Sequence, residues 1–475
     1  MEFDKDLLAR QEARTAAREA AAAQKALAKL SQEQLDAIVE AVATAFSKES
    51  ASLAQMAVEE TGFGNTADKT TKNRFASETV AAAIRGMQTV GLLREDTEKQ
   101  VWEIGIPVGV IAAIVPSTNP TSTVCYKALI ALKSGNAIIF SPHPKAIGCT
   151  QAAAKIVAEA ARSAGAPAGA VTCLRIPSLQ GCQELMSAPE VRLILATGGP
   201  AMVKAAYSSG KPAIGVGAGN GPAYIHHSAD VKQAISHILR SKTFDNGTVC
   251  ASEQSIIVEK SLEDTVLREA RAQGFYLMSP EEAAALARLL FRPNGALRPE
   301  VVGKTARHLA QMAGFSVPEG TKVLLARERE AGPSVPYSME KLCPVLAFYV
   351  MDSEETVLNK VVEVLTHEGS GHTFAMHCRD AGVIRKFAAS VPVSRFLVNT
   401  PAALGGIGQS TGLFPALTLG CGAVGGSSSS NNISPLDLIN LRRVAWGTEA
   451  RIPPAPNVDS DLVERLTAKI LERLQ

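Results

Sequence analysis

The chain has 475 residues, of which 46% are apolar and 20% charged, and a formal net charge of +2. That length allows a core divided over two or three lobes, and the mixture is that of a folded rather than a disordered protein. The near-neutral charge excludes a broad electrostatic field for nucleic acid or anionic lipid, and no apolar run reaches membrane-spanning length, so neither is expected as a partner.

In chain order, Met1–Leu30 is Ala-rich with mixed charges and lacks the apolar core of a signal peptide. The eight cysteines are scattered, with no CxxC pair and no His/Cys cluster of metal-ligand spacing. No metal site and no disulfide framework are therefore expected, and a reduced, cytoplasmic protein is. Ser31 with Gln34 makes a capping box, after which Leu35, Ile38, Val39, Val42 and Phe46 follow at helical spacing.

Beyond residue 100 the texture changes. Apolar runs at Val108–Val115, Ala137–Phe140, Ala170–Ile176, Val191–Ala196 and Pro212–Val216 alternate with helical stretches such as Thr121–Lys133 and Gln151–Ala164. Further runs follow at Ser255–Val258, Val345–Tyr349, Thr373–Met376 and Phe396–Val398. Apolar strands alternating with helices predict an α/β fold whose parallel sheets are covered on both faces. Gly405–Ser430 is too rich in turn formers for regular structure and reads as a loop system over a site. After three prolines in Ile452–Val458, Asp461–Gln475 places Val463, Leu466, Ile470 and Leu474 on one stripe, an amphipathic helix on a stiff tether.

Several segments could carry chemistry. Small and turn-forming residues precede the lone Cys250 in Phe244–Cys250, which would let the backbone bend and present a nucleophilic sulfur to a cleft. A small buried cysteine is the competing reading. Asn119, between a buried strand and Pro120, could donate to an oxyanion or simply form a turn. Thr197-Gly198-Gly199-Pro200 leads from a strand into a helix, where bare glycines let backbone amides approach a pyrophosphate, and Gly215–Pro222 is similarly glycine-rich.

Taken together, Asn119-Pro120, Thr197-Gly198-Gly199, the 215–222 segment, Cys250, Glu340-Lys341-Leu342-Cys343-Pro344-Val345 and Gly371-His372-Thr373 stand in the order, and at about the spacing, of the aldehyde dehydrogenase superfamily. The resemblance runs from about residue 5 to 447. Thr418-Leu419-Gly420-Cys421-Gly422 and the Gly/Ser run after it resemble the CoA-acylating branch, typified by acetaldehyde and propionaldehyde dehydrogenases of bacterial microcompartments.

The resemblance implies a Rossmann-type cofactor domain over residues 1–225 with an oligomerisation hairpin near 95–107. An α/β catalytic domain over 226–415 and a return segment with a β oligomerisation arm over 416–447 would follow. A Pro-rich linker and terminal helix would fill 448–475. It implies Cys250 as nucleophile, Asn119 with the Cys250 amide as oxyanion hole, and His372 in an acid/base role. Thr197, Gly198, Gly199 and Gly217 would meet the cofactor, and Glu340 the nicotinamide ribose.

The reaction implied is short-chain aldehyde, CoA and NAD to acyl-CoA and NADH, in a dimer or tetramer. Hydrolytic members carry a Glu at the start of the segment matching 215–222; here that position is Gly215, and the segment holds no carboxylate. Water attacks a thioester slowly without a base, whereas a thiol such as CoA attacks it well. The alternatives are a hydrolytic dehydrogenase releasing free acid and a non-catalytic shell-associated protein of the same fold. The terminal helix resembles encapsulation peptides that carry such enzymes into microcompartments, with a contact inside the enzyme's own oligomer as the other reading.

Overall fold

The computed structural model describes residues 4–447, together with positions 465, 469 and 472. The expected amphipathic helix Asp461–Gln475 therefore lies, but for those three positions, outside the described residues. Among the described residues no helix is long and apolar enough to cross a membrane.

Two parallel sheets carry the molecule. The first has five strands in the spatial order Val171–Cys173, Ala137–Ser141, Val110–Ile114, Val191–Thr197, Ala213–Val216. The chain enters at the central strand Val110–Ile114, winds outward to one edge, then returns to build the other. Ligand crevices open at such a reversal, beyond the carboxyl ends of the strands. The helix Pro120–Lys133 that leaves the central strand is buried along its whole length. It brings Lys127 to the reversal, where the ammonium donates to Ile114 O at 2.8 Å and Leu195 O at 2.9 Å and ties the two middle strands together. Burial pushes this lysine down to about 7.

The second sheet has seven strands, all parallel, in the order Phe275–Leu277, Val323–Arg327, Val345–Met351, Glu253–Glu259, Gly221–Ile225, Gly371–His377, Val393–Val398. Gly221–Ile225 pairs here, so the boundary expected at 225 is corrected: the chain changes sheet between Val216 and Gly221. The glycines of that stretch lack the side chains that would commit it to either sheet. A third, antiparallel sheet joins the hairpin Gly91–Asp96/Val101–Pro107 to Ile439–Ala445.

The Ala-rich N-terminus is one helix, Lys5–Leu27, whose buried alanines pack closely against the first sheet's layer. The capping box at Ser31 and Gln34 forms as expected.

Candidate active site

Cys250 lies one turn ahead of the strand Glu253–Glu259, after a tight bend. Asp245 (φ 48°), Asn246 (φ 52°) and Gly247 (φ 77°) are successively left-handed. Two non-glycine residues in that region cost about 1–3 kcal/mol each and persist only where their surroundings over-determine them.

The surroundings do so. Asp245 is fully buried, and its Oδ2 accepts from Lys69 Nζ at 2.8 Å, Lys72 Nζ at 2.6 Å and Thr248 Oγ1 at 2.7 Å. Its Oδ1 accepts from Asn65 N, and its own amide donates to Asp68. Asn246 donates to Gly303 O. Gly64 is obligatory beside it, since a Cβ there would sit 1.8 Å from Asp245 Oδ1. Burial works to raise the Asp245 carboxyl, but the two ammonium groups prevail and hold it below the usual range.

The same network aims Asn119. Lys72 Nζ donates to Asn119 Oδ1 at 2.5 Å, which pins the carbonyl end of the amide. The Nδ2 end is thereby turned toward the bend, 3.5 Å from Thr248 O. Burial pushes Lys72 down to about 8 against the pull of Asp245.

Cys250, Asn119, Lys72, Thr197, Gly198, Gly199, Gly217 and Glu340 line one cavity of about 230 Å³. It opens at the reversal of the five-stranded sheet. Burial, reinforced by Glu340, pushes the Cys250 thiol up to about 12, with Arg395 opposing. Glu340 Oε1 accepts from Gly219 N at 2.9 Å, and its own amide donates to Glu368 at 2.6 Å. Burial and Glu368 raise its carboxyl to about 8. The segment between is squeezed: a Cβ on Gly219 would lie 1.8 Å from Cys250 O.

The residues present fit a dinucleotide. Thr197 Oγ1 is buried without a partner. A Cβ on Gly199 or Gly217 would meet nothing within 4 Å, so room is left for a ligand beside the N-terminus of the helix Pro200–Tyr207. An adjoining cavity of about 400 Å³, sharing Pro116, His143 and Thr197–Pro200, is walled by Pro142, Pro177, Leu179 and Met202, a surface suited to a flat base.

Two expectations are corrected. His372 is not in the cavity lining. It is fully buried in the strand Gly371–His377, its Nδ1 2.9 Å from Thr373 Oγ1, and burial with Arg395 pushes its pKa down to about 3. Its Nε2 is buried without a hydrogen-bond partner, so the structure places His372 beside the cavity and not in its lining, with its acid/base role resting on the sequence resemblance. Gly215 is likewise turned away: a Cβ there would meet Val203 and Tyr207 at 2.6 and 2.8 Å. The neighbour that faces the cavity is Val216. Successive residues of a strand point to opposite faces, so a slip of one position reverses the geometry.

The aldehyde dehydrogenase family profile matches residues 6–280. The chain belongs to the aldehyde dehydrogenase family. Within the family it is similar to the bifunctional aldehyde-alcohol dehydrogenase AdhE of Escherichia coli K12, 46% identical over 90% of this chain and 48% of that protein. It thus spans about half the length of that relative.

An acetylating aldehyde dehydrogenase from Geobacillus thermoglucosidasius superposes with a TM-score of 0.92 at 48% identity, covering 96% of this chain and 100% of that one. Two propionaldehyde dehydrogenases are 28% identical. The one from the Clostridium phytofermentans fucose utilisation microcompartment (TM-score 0.84) covers 93% of this chain and 98% of that one. The other, from Rhodopseudomonas palustris with bound CoA and an acylated cysteine (TM-score 0.83), covers 91% and 97%. These neighbours put the chain in the acylating branch of aldehyde dehydrogenases.

Lys72, Asp245, Glu368 and Arg395 went unnoticed in the sequence. The available signal was the helix Thr66–Arg74, which has almost no apolar residue yet buries Lys69, Lys72 and Asn73. A helix polar on every side must answer to charges elsewhere.

Proposed function

We propose that this chain is a CoA-acylating aldehyde dehydrogenase, converting a short aldehyde, CoA and NAD to acyl-CoA and NADH through a thioester on Cys250. The observation that carries the reading is the wall facing Cys250. Val216, Gly217 and Ala218 bring no carboxylate to it, and the one carboxyl in the lining, Glu340, is engaged by Gly219 N and raised to about 8.

Cys250 loses its proton to solvent, and the thiolate sulfur bonds to the aldehyde carbon as the C=O π pair moves onto the carbonyl oxygen, placing negative charge there. Asn119 Nδ2, held by Lys72, and the Cys250 amide stabilise that charge. As the carbonyl re-forms the thiohemiacetal carbon loses hydride, and NAD, when bound, would supply the hydride acceptor. Thr197, Gly198, Gly199 and Gly217 would hold its phosphates and Glu340 its nicotinamide ribose. The CoA sulfur then bonds to the acyl carbon, the bond to the Cys250 sulfur breaks, and the CoA thiol's proton passes to the departing Cys250 thiolate.

The parts proposed for these tasks are a cofactor unit on the five-stranded sheet, a catalytic unit on the seven-stranded sheet and the antiparallel arm. The arm exposes Leu92 and Leu441, which supports assembly as a dimer or tetramer through it. Location inside a microcompartment is a further reading, supported by the Clostridium phytofermentans neighbour and by the composition of residues 448–475. Fusing those residues to a fluorescent protein beside co-expressed shell proteins tests it; diffuse fluorescence assigns the tail to the oligomer.

The deciding experiment follows NADH formation with acetaldehyde, propionaldehyde and butyraldehyde, each with and without CoA. Turnover that depends on CoA is expected. Equal turnover with free acid as product would make this a hydrolytic enzyme, and none with any aldehyde would favour a non-catalytic role.

A further inference from the structure

At the carboxyl end of the seven-stranded sheet, remote from the cysteine, four polar side chains converge. Strand Gly221–Ile225 runs out into His226 and His227, and its neighbour ends on Glu259. One donor atom from each of His226, His227 and Glu259 lies within 4.8 Å of the others. His227 Nδ1 is 3.8 Å from Glu259 Oε1. Glu354, first residue of the helix Glu354–His367, brings Oε2 to 3.7 Å from His226 Nε2.

A core-packing or surface role does not account for this arrangement. His226 is only 1% exposed, yet its Nε2 is buried with no hydrogen-bond partner. Such an orphan is costly unless something completes it. The outer atoms of the cluster are meanwhile anchored. His226 Nδ1 lies 2.8 Å from Ser228 Oγ, Tyr224 OH donates to Glu259 Oε1 at 2.9 Å, and Lys386 Nζ donates to Glu354 Oε1 at 2.6 Å. Hydrogen bonds behind His226 and Glu354, and one on Glu259 itself, are the kind of support that metal ligands require.

We propose that His226 Nε2, His227 Nδ1 and Glu259 Oε1, with Glu354 Oε2 closing a fourth position, bind a divalent transition metal of the zinc class. Two imidazoles with carboxylates suit zinc or cobalt; magnesium and calcium take oxygen ligands. Metal–ligand bonds of 2.0–2.1 Å put tetrahedral neighbours about 3.4 Å apart. The two pairs at 3.7 and 3.8 Å are within a few tenths of an ångström of that. His227, largely exposed, is free to swing in. Ser228 N donates to His226 Nδ1 at 3.2 Å, so Nε2 carries the proton in the metal-free protein; binding moves it to Nδ1, which then donates to Ser228 Oγ and gives up the bond from Ser228 N.

Cys250 precedes the amino end of the strand Glu253–Glu259, whose seven residues at about 3.3 Å each put the ion about 20 Å from the thiol. The ion is therefore structural, clamping two strand ends to a helix start, and takes no part in the reaction.

The test uses the full chain stripped with a chelator. Titration with Zn²⁺ should give one equivalent per chain at this site and raise Tm. His227→Ala and Glu259→Gln should each weaken binding by about a hundredfold or more, and remove the rise in Tm. Both metal-free variants should fold and turn over as the metal-free parent does. Co²⁺ should give a visible spectrum of nitrogen and oxygen ligation that His227→Ala abolishes. Absence of stoichiometric binding, equal affinity in the variants, or a thiolate-to-cobalt band placing the ion on a cysteine would each overturn the proposal.

Discussion

The crevice of the five-stranded sheet and the bend that carries Cys250 share a cavity and are built in opposite ways. The crevice is made by omission: Gly199 and Gly217 leave room, and Thr197 keeps an unused hydroxyl. The bend is made by over-determination. Asp245 and Asn246 hold unfavourable backbone angles because two lysines, Asp68, Asn65 and Gly303 take up their polar atoms. A binding surface can stay loose until its ligand arrives, whereas a nucleophile and its oxyanion donor must be aimed in advance. Substitutions in the bend should therefore strike turnover and stability, and those along the crevice should change what reacts.

The largest effect is expected at the sulfur. Cys250→Ala should reduce acyl-CoA formation by ~10⁴-fold or more, with NAD binding by fluorescence titration kept; turnover above about one percent of the parent would remove Cys250 from its role.

Next comes the support behind Asn119. Lys72→Met frees the amide and should lower kcat by about 10²–10³-fold, the size of losing one oxyanion donor, with a smaller change in KM. Asp245→Asn leaves two buried ammonium groups without a carboxylate and should destabilise the fold by about 3–5 kcal/mol in urea unfolding. A Lys72→Met enzyme with normal kcat would show that Asn119 aims itself.

On the crevice side, Val216→Glu should produce CoA-independent release of free acid, measured by product analysis, at a small fraction of the parent rate. Gly215→Glu should instead fail to fold well, because its side chain would enter Val203 and Tyr207. The reverse outcome would restore Gly215 as the position facing the thioester.

The smallest effect concerns charge. A carboxylate beside a thiol opposes thiolate formation, so Glu340→Gln should lower the Cys250 pKa. Alkylation of the free enzyme by iodoacetamide should be several-fold faster in the variant. The gap should open as pH rises through about 8, where Glu340 in the parent acquires its charge. Parallel pH profiles would separate the two groups.

What the sequence made legible divides along the same line. Its apolar runs located every strand of the five-stranded sheet, and Thr121–Lys133 differs from the observed helix by one residue, because burial on both faces writes itself as continuous hydrophobicity. The cavity residues of the crevice were legible as glycines after strands. The bend's supports were not, since Lys72 and Asp245 meet across 173 positions and no local pattern joins them. Gly215 was misplaced because glycine-rich sequence carries no alternation of apolar and polar residues to fix which face a position takes. Adjacent histidines gave no hint that Glu259 and Glu354 fold back to them.

The antiparallel arm has a consequence for synthesis. Arg443 on its last strand meets Glu103 on its middle strand from 340 positions away. At roughly 5–20 residues per second, the ribosome needs about 20–70 s to deliver that partner after the hairpin has emerged. Throughout this interval the edge of Val101–Pro107 stands open, and open edges recruit foreign strands. A pause or truncation late in translation should therefore yield aggregates nucleated at the hairpin, even where both parallel sheets have already formed.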